Sequence, residues 1–275
     1  MTFQGQKRLY LLRLPPGKPA DASGWPLVVV FHGGGGDALN VERMTRFTEL
    51  GRQQGFAVLY PQGTSAAGQR LGTWNAQHCC GTAMRQRVND TGFIEALLND
   101  VLRQHPLDPK RLYATGLSNG GMMVHRVAAA YPQRWAAIAP VMASLFGDEP
   151  PAALPVPTFI VNGELDASIP VDGGPPGGRF RQAWSGRPLL PVSAQSLYWA
   201  QANGCQPGPD KQFLPTHVHW QYSCAKGRDV ERVLVTGLGH AWPGGLRGAP
   251  GADDPTSAFD ATREIWRFFE RHRRP

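Results

Sequence analysis

Short unbroken apolar runs alternate along this chain with longer amphipathic stretches. Leu-Val-Val-Val-Phe at 27–31 and Phe-Ala-Val-Leu-Tyr at 56–60 have no polar interruption, as strands buried on both faces require. Similar runs predict strands at 112–115, 135–141, 158–161 and 230–235, and the alternation at 7–14 predicts an edge strand. Helical spacing predicts helices at 40–54, stopped by Gly55, at 90–105, at 119–131, stopped by Pro132, at 193–203 and at 257–272. Strands and helices taking turns predict an α/β protein with a mostly parallel central sheet and helices on both faces. Three stretches lack either period: a Pro/Gly/Ala loop at 15–26, a long loop at 63–88, and a Gly-, Pro- and Arg-rich excursion or lid at 172–191. With no internal repeat and no linker, residues 1–275 are expected to form one domain.

Composition narrows this picture. A chain of 275 residues and 30.0 kDa with 41% hydrophobic content is neither disordered nor too small for a large core. No apolar stretch has transmembrane length, so membrane insertion is not expected. The first residues lack the apolar core and cleavage site of a signal peptide, so either the protein is cytoplasmic or a leader has been removed. The net charge of +7 comes mostly from dispersed Arg residues, the one dense cluster being the helix end at 267–274. No basic patch interleaved with aromatics supports nucleic-acid binding, whereas attraction to an acidic polymer surface is compatible with the charge. Cys205 and Cys224 flank a polar stretch with the look of a hairpin or loop, and a disulfide there would staple it and favour an oxidising compartment. Metal binding is the rival use of the cysteines, but C-x-x-C and a His cluster at ligand spacing are both missing. Adjacent Cys79 and Cys80 could form a vicinal bridge or stay as thiols.

The chemistry centres on Ser118. Gly116-Leu-Ser-Asn-Gly120 fits G-x-S-x-G, and it lies between a predicted strand and a predicted helix. In such an elbow the glycines let strand and helix pass closely while the serine is lifted out of the sheet as a nucleophile. A nucleophilic serine needs a base, and the base needs an orienting carboxylate. Asp166 follows the 158–161 strand and His240 follows the 230–235 strand, which is the chain order such folds use. Glu164 and Asp172 are rivals for the acid. His217 and His219 are rivals for the base, but they precede a strand and are expected on the wrong side of the sheet. The tetrahedral intermediate needs backbone donors, for which Asn119 is one candidate and Gly34, then Gly33, the other, in the Gly-rich run after His32. The mechanism requires no metal and no cofactor. Trp242, two residues beyond His240, is expected to line the pocket with Trp74, Trp184 and His32, and aromatic walls suit a feruloyl ring or a sugar face.

Several motifs together carry a family resemblance. Val-Phe-His-Gly-Gly-Gly at 30–35, Thr-Trp-Asn-Ala at 73–76 with Cys79-Cys80-Gly81, Asn-Asp-Thr-Gly-Phe-Ile at 89–94, the Ser118 run and Gly-His-Ala-Trp-Pro-Gly-Gly at 239–245 resemble the polyhydroxybutyrate depolymerase-like esterases. That family is related to the feruloyl and acetylxylan esterases of carbohydrate esterase family 1. The resemblance runs from about residue 8 to about residue 270. It implies an α/β-hydrolase fold, a Ser118–Asp166–His240 triad, export from a bacterial cell and a Cys205–Cys224 bridge. The chain departs from the pattern at Asn89-Asp90, where two Asp are common, and at Gly34, where depolymerases often have Cys. It also shows no substrate-binding domain after the catalytic one. The last two departures favour smaller or soluble esters, and the expectation is a hydrolase of feruloyl or acetyl esters of plant polysaccharide, acting as a monomer. A polyhydroxyalkanoate or polyester oligomer hydrolase is the nearest alternative. A non-catalytic carbohydrate-binding homologue is the alternative of another class, and a peptidase of the same fold is weaker.

Overall fold

The computed structural model describes all residues except 67, 69, 179 and 180. A small hairpin, β1 (Thr2–Phe3) and β2 (Gln6–Lys7), comes first. The chain continues through β3 (Tyr10–Arg13), β4 (Trp25–Phe31), α1 (Ala38–Thr45), α2 (Phe47–Gln54), β5 (Ala57–Pro61), α3 (Gly81–Arg85) and α4 (Asp90–Gln104). After these come β6 (Leu107–Leu117), α5 (Asn119–Ala130), β7 (Ala137–Val141), β8 (Thr158–Gly163) and α6 (Ser193–Asn203). The last elements are β9 (Asp210–Phe213), β10 (His217–Gln221), β11 (Val230–Val235) and α7 (Ala261–Phe269).

Among the described residues, nine strands form one sheet in the order β3-β5-β4-β6-β7-β8-β11-β10-β9. From β5 to β11 the neighbours are parallel, while β3 on one edge and β10 and β9 on the other are antiparallel. Every residue of β4 is buried, and its alternation divides the run between two cores. Val28 and Val30 pack on the side of Phe47 and Trp266. Leu27, Val29 and Phe31 pack on the side of Phe93 and Leu97. Helices therefore cover both faces, as the continuous apolar runs predict.

The structure differs from the sequence expectation in three places. The helix expected at 40–54 breaks at Arg46, whose φ of 59° ends α1 and starts α2 without a glycine to signal it. Strand β6 begins at Leu107 rather than 112, and its pairing with β4 shifts register between Trp25 and Leu27, so that residues 108–111 lie opposite Pro26 alone. The long loop at 63–88 contains α3. The polar stretch between Cys205 and Cys224 folds as a hairpin, β9–β10, in line with expectation, and extends the sheet.

Both cysteine pairs are bridged, Cys79 to Cys80 and Cys205 to Cys224. The second bridge closes a segment with a sequence separation of 19. Restraining a loop of that length in the unfolded chain stabilises the fold by about 3 kcal/mol on the chain-entropy account. Replacing both Cys205 and Cys224 by Ser is expected to lower the urea midpoint accordingly while leaving turnover of a small soluble ester intact. No helix among the described residues is long and apolar enough to cross a membrane. A buried pair, Arg8 Nη2 to Asp90 Oδ1 at 2.7 Å, anchors the start of α4. The other oxygen of Asp90 accepts the Asn75 N–H at 2.8 Å, so Asp90 fastens the long loop to this helix.

Candidate active site

Ser118 lies between β6 and α5 with φ 58° and ψ −122°. This conformation is costly for a residue with a Cβ, on the order of 1–3 kcal/mol, and the surrounding packing has to enforce it. The two flanking glycines explain how. A Cβ on Gly116 would stand 2.8 Å from Phe31 Cβ and from the Gly120 backbone, and a Cβ on Gly120 would run into the carbonyls of Phe31 and His32. Strand β4 and helix α5 thus cross at contact distance directly beneath the serine. Gly120→Ala is expected to destabilise the fold by about 3 kcal/mol, the upper end of the usual overpacking cost, because backbone atoms cannot move aside as a side chain can. Thermal melts check this.

Asp166 and His240 meet at the same edge. Asp166 is 4% exposed and sits in the turn after β8. Its Oδ1 accepts the N–H groups of Ser168 and Ile169, both at 2.8 Å, leaving Oδ2 for His240 Nδ1 at 2.7 Å. His240 is fixed a second way, because its backbone N–H donates to Asp253 Oδ2 at 2.6 Å. Burial alone would lower the imidazole pKa, but the charge and hydrogen bond of Asp166, with the charge of Asp253, raise it above 6.5. Asp253 escaped the sequence reading: it lies in an irregular stretch, and only folding brings it to the backbone of His240.

The rivals for these roles are placed elsewhere. Glu164 accepts the Gly237 N–H at 2.8 Å on the surface. Asp172 is not among the residues lining the cavity described below. The expectation that His217 lies on the wrong side of the sheet is incorrect, because β10 runs antiparallel and His217 pairs with Val235 at the carboxyl end of β11. It nevertheless bonds Thr216 and packs on Phe259, away from the serine. His219 pairs with Glu231.

Ser118 and His240 line one cavity of about 590 Å³. Gly33, Gly34 and Cys80 border it too. Within the Gly-rich run, the N–H of Gly35 donates to Gly72 and that of Gly36 to Gly33. The N–H groups of Gly33 and Gly34 bond no backbone carbonyl among the described residues. Gly34 faces Asn119, since a Cβ there would lie 3.5 Å from Asn119 Cβ. Asn119 is itself immobilised: its Oδ1 accepts the Trp74 N–H at 2.7 Å, and its Nδ2 donates to Trp74 O at 3.1 Å and to Cys79 Sγ at 3.4 Å. As the first residue of α5, Asn119 presents a backbone N–H that has no acceptor within the helix.

Two of the expected pocket side chains, Trp74 and His32, are in the core instead, while Trp242 borders the cavity as expected. Trp74 is fully buried, and its indole N–H donates to His32 O at 3.0 Å. His32 is buried and accepts the Gly63 N–H on Nε2 at 2.9 Å, so its Nδ1 donates to Gly33 O at 2.8 Å. Burial pushes its pKa down to about 4, and both nitrogens are occupied in holding loops. Trp242 borders the cavity, but its indole packs against Phe47 and donates to Thr262 Oγ1 at 2.9 Å. The half-buried aromatic of the cavity wall is Trp184, in the excursion at 172–191. Leu71 and Arg85 also reach the wall, and neither carried a recognisable signal in the sequence.

A mostly parallel sheet with helices on both faces, and a strained strand-to-helix turn after β6, make this an α/β-hydrolase fold. Residues 8–156 match the family model described as Esterase PHB depolymerase, and the chain belongs to that family of esterases. It is 30% identical over 260 residues to the NocK protein of Nocardia uniformis subsp. tsuyamanensis, covering 89% of this chain and 73% of that protein. It is 26% identical over 248 residues to feruloyl esterase B of Piromyces equi, covering 88% of this chain and 44% of the relative's length. Among solved structures, an acetyl xylan esterase from Aspergillus awamori superposes with a TM-score of 0.64 at 15% identity, over 95% of this chain and 93% of that one.

Proposed function

We propose that this chain is a serine carboxylic-ester hydrolase that cleaves feruloyl or acetyl esters of plant polysaccharide through an acyl-enzyme. The observation that carries the proposal is one cavity lined by a serine on a strained turn and by a histidine whose Nδ1 is held by a buried carboxylate at 2.7 Å. With Nδ1 donating to Asp166, Nε2 is the nitrogen free to take the Ser118 proton as Ser118 attacks the ester carbonyl. Asp166 holds the tautomer and stabilises the imidazolium. The N–H groups of Asn119 and Gly34, with Gly33 beside them, stabilise the oxyanion. His240 returns the proton to the leaving alcohol, then activates a water that releases the acid.

A half-buried Trp184 and a cavity of about 590 Å³ suit an aromatic acyl group, and a feruloyl esterase is among the relatives. Two disulfides support export to an oxidising compartment. The family description favours a second reading, cleavage of hydroxyalkanoate oligomers. Methyl ferulate and a 3-hydroxybutyrate oligomer, each assayed with Ser118→Ala as blank, separate the two. Ser118-dependent ferulate release supports the first reading, and oligomer cleavage alone supports the second. Failure of an active-site serine probe to label the protein would overturn both.

A further inference from the structure

We propose that β9, β10 and β11 form an accessory docking site for an acidic polysaccharide, a chain of sugar rings carrying uronate carboxylates. The partner class rests on the polysaccharide-ester reading above, whereas the site's preference for anions does not.

The strand register places Lys211 and Phe213 of β9, Val218 and Trp220 of β10, and Arg232 and Leu234 of β11 on one face. None of these is acidic. The neighbouring acids Asp210 and Glu231 pair in register with Gln221 and fall on the opposite face, where Glu231 is already engaged by His219 and Arg271.

Arg232 is the first observation. It is 9% exposed, yet its side chain forms no ion pair or hydrogen bond with any described residue, and its Nε is buried without a partner. Its neighbour is an aromatic ring, with Cζ 3.6 Å from the Trp220 centroid. A cation–π contact offsets only part of the cost of desolvating a guanidinium, and burial accordingly lowers the Arg232 pKa. By contrast, Arg271 and Arg273 of the basic tail each have a carboxylate partner. Among the described residues Arg232 has no counter-ion, and the proposal gives that role to the ligand's carboxylate.

The second observation is independent. Phe213 is 75% exposed on the same face, and Lys211 Nζ lies 4.4 Å from its ring centroid and 5.3 Å from that of Trp220. Two cations among open aromatic surface match a sugar ring with a carboxylate: the ring covers the aromatic, and the carboxylate bridges the cations. The overall charge of +7 acts in the same sense. The turn after Phe213 is also tied to the segment that leads to His240, since the Thr236 N–H donates to Thr216 O at 3.0 Å.

Native-gel affinity electrophoresis of the Ser118→Ala protein in glucuronoxylan tests this without catalysis. We expect retardation that salt abolishes and that neutral β-glucan does not reproduce. Adding Lys211→Glu and Phe213→Ala, both exposed strand positions, should weaken binding at least tenfold relative to a polymer-free gel. Arg232→Met should also weaken binding while the melting temperature rises, whereas a purely structural arginine would lower it. Equal binding by the Lys211→Glu, Phe213→Ala protein, or equal retardation by neutral glucan, would overturn the proposal, as would binding to polyester granules in place of glucuronoxylan. In the Ser118 background the same two substitutions should leave methyl ferulate turnover unchanged. If an active-site serine probe fails to label the wild type while glucuronoxylan still retards it, the ester reading falls and the docking site stands.

Discussion

Replacing Ser118 by Ala is expected to lower kcat on an ester substrate by about a million-fold, the scale seen when a comparable triad loses its serine. No covalent intermediate can then form, and His240 has no hydroxyl to deprotonate. The residual rate would come from the Asn119 and Gly34 N–H groups acting on water attack. The fold should persist, because Ser118 is anchored through its backbone: its N–H donates to Val141 O at 2.9 Å and its carbonyl accepts from the Met122 N–H at 2.9 Å. The strain at φ 58° remains in the Ala variant. Ser118→Gly should be equally inactive yet more stable than Ser118→Ala by about 1 kcal/mol, because glycine adopts positive φ without a Cβ clash. Single-turnover kinetics and thermal melts on the two variants check both statements. Retention of a few per cent of wild-type activity by Ser118→Ala would remove Ser118 from the mechanism.

Asp166→Asn should be the next most damaging change, lowering kcat by about ten-thousand-fold through the wrong imidazole tautomer. Its amide oxygen can still accept from Ser168 and Ile169, so the turn should survive. The pH profile carries a more specific signature. In the proposed mechanism His240 acts as a base only when neutral, so activity should be lost as pH falls through its pKa. In the wild type that pKa is raised, because Asp166 and Asp253 outweigh burial, so the acid limb of kcat/KM should have its midpoint above 6.5. Removing the Asp166 charge leaves burial dominant, and the midpoint should move to lower pH. A midpoint that stayed in place would show that His240 is not the titrating base.

Much of the candidate site was legible because each part has a local cause. Ser118 is announced by two glycines and by the switch from strand to helix period. Asp166 and His240 follow apolar runs that end in turn residues, and in a parallel sheet every such end lies on one edge. The aromatic wall was not legible in the same way. Trp242, Trp74 and His32 all lie close in sequence to the site, but proximity along the chain does not set the direction of a side chain. Trp242 turns towards Phe47 and Thr262, and Trp74 turns towards the carbonyl of His32, because those contacts bury an indole and satisfy its N–H. Trp184, in the least patterned stretch of the chain, borders the cavity beside Trp242. His217 was misjudged for a topological reason: the β9–β10 hairpin reverses the strand direction that had held since β4.

By itself, the order of apolar runs, glycines and helix stops determined an α/β architecture, the place of the candidate nucleophile and the chain order of its proposed partners, since these depend on periodicities of a few residues. Only the tertiary structure decided which carboxylate reaches His240, that Asp253 holds its backbone, and that, among the described residues, the Gly33 and Gly34 N–H groups meet no backbone carbonyl and Arg232 meets no counter-ion. Each of those depends on contacts between segments far apart in the chain. They form only when packing chooses one direction for every side chain and when each buried polar group must find its partner in space rather than in sequence.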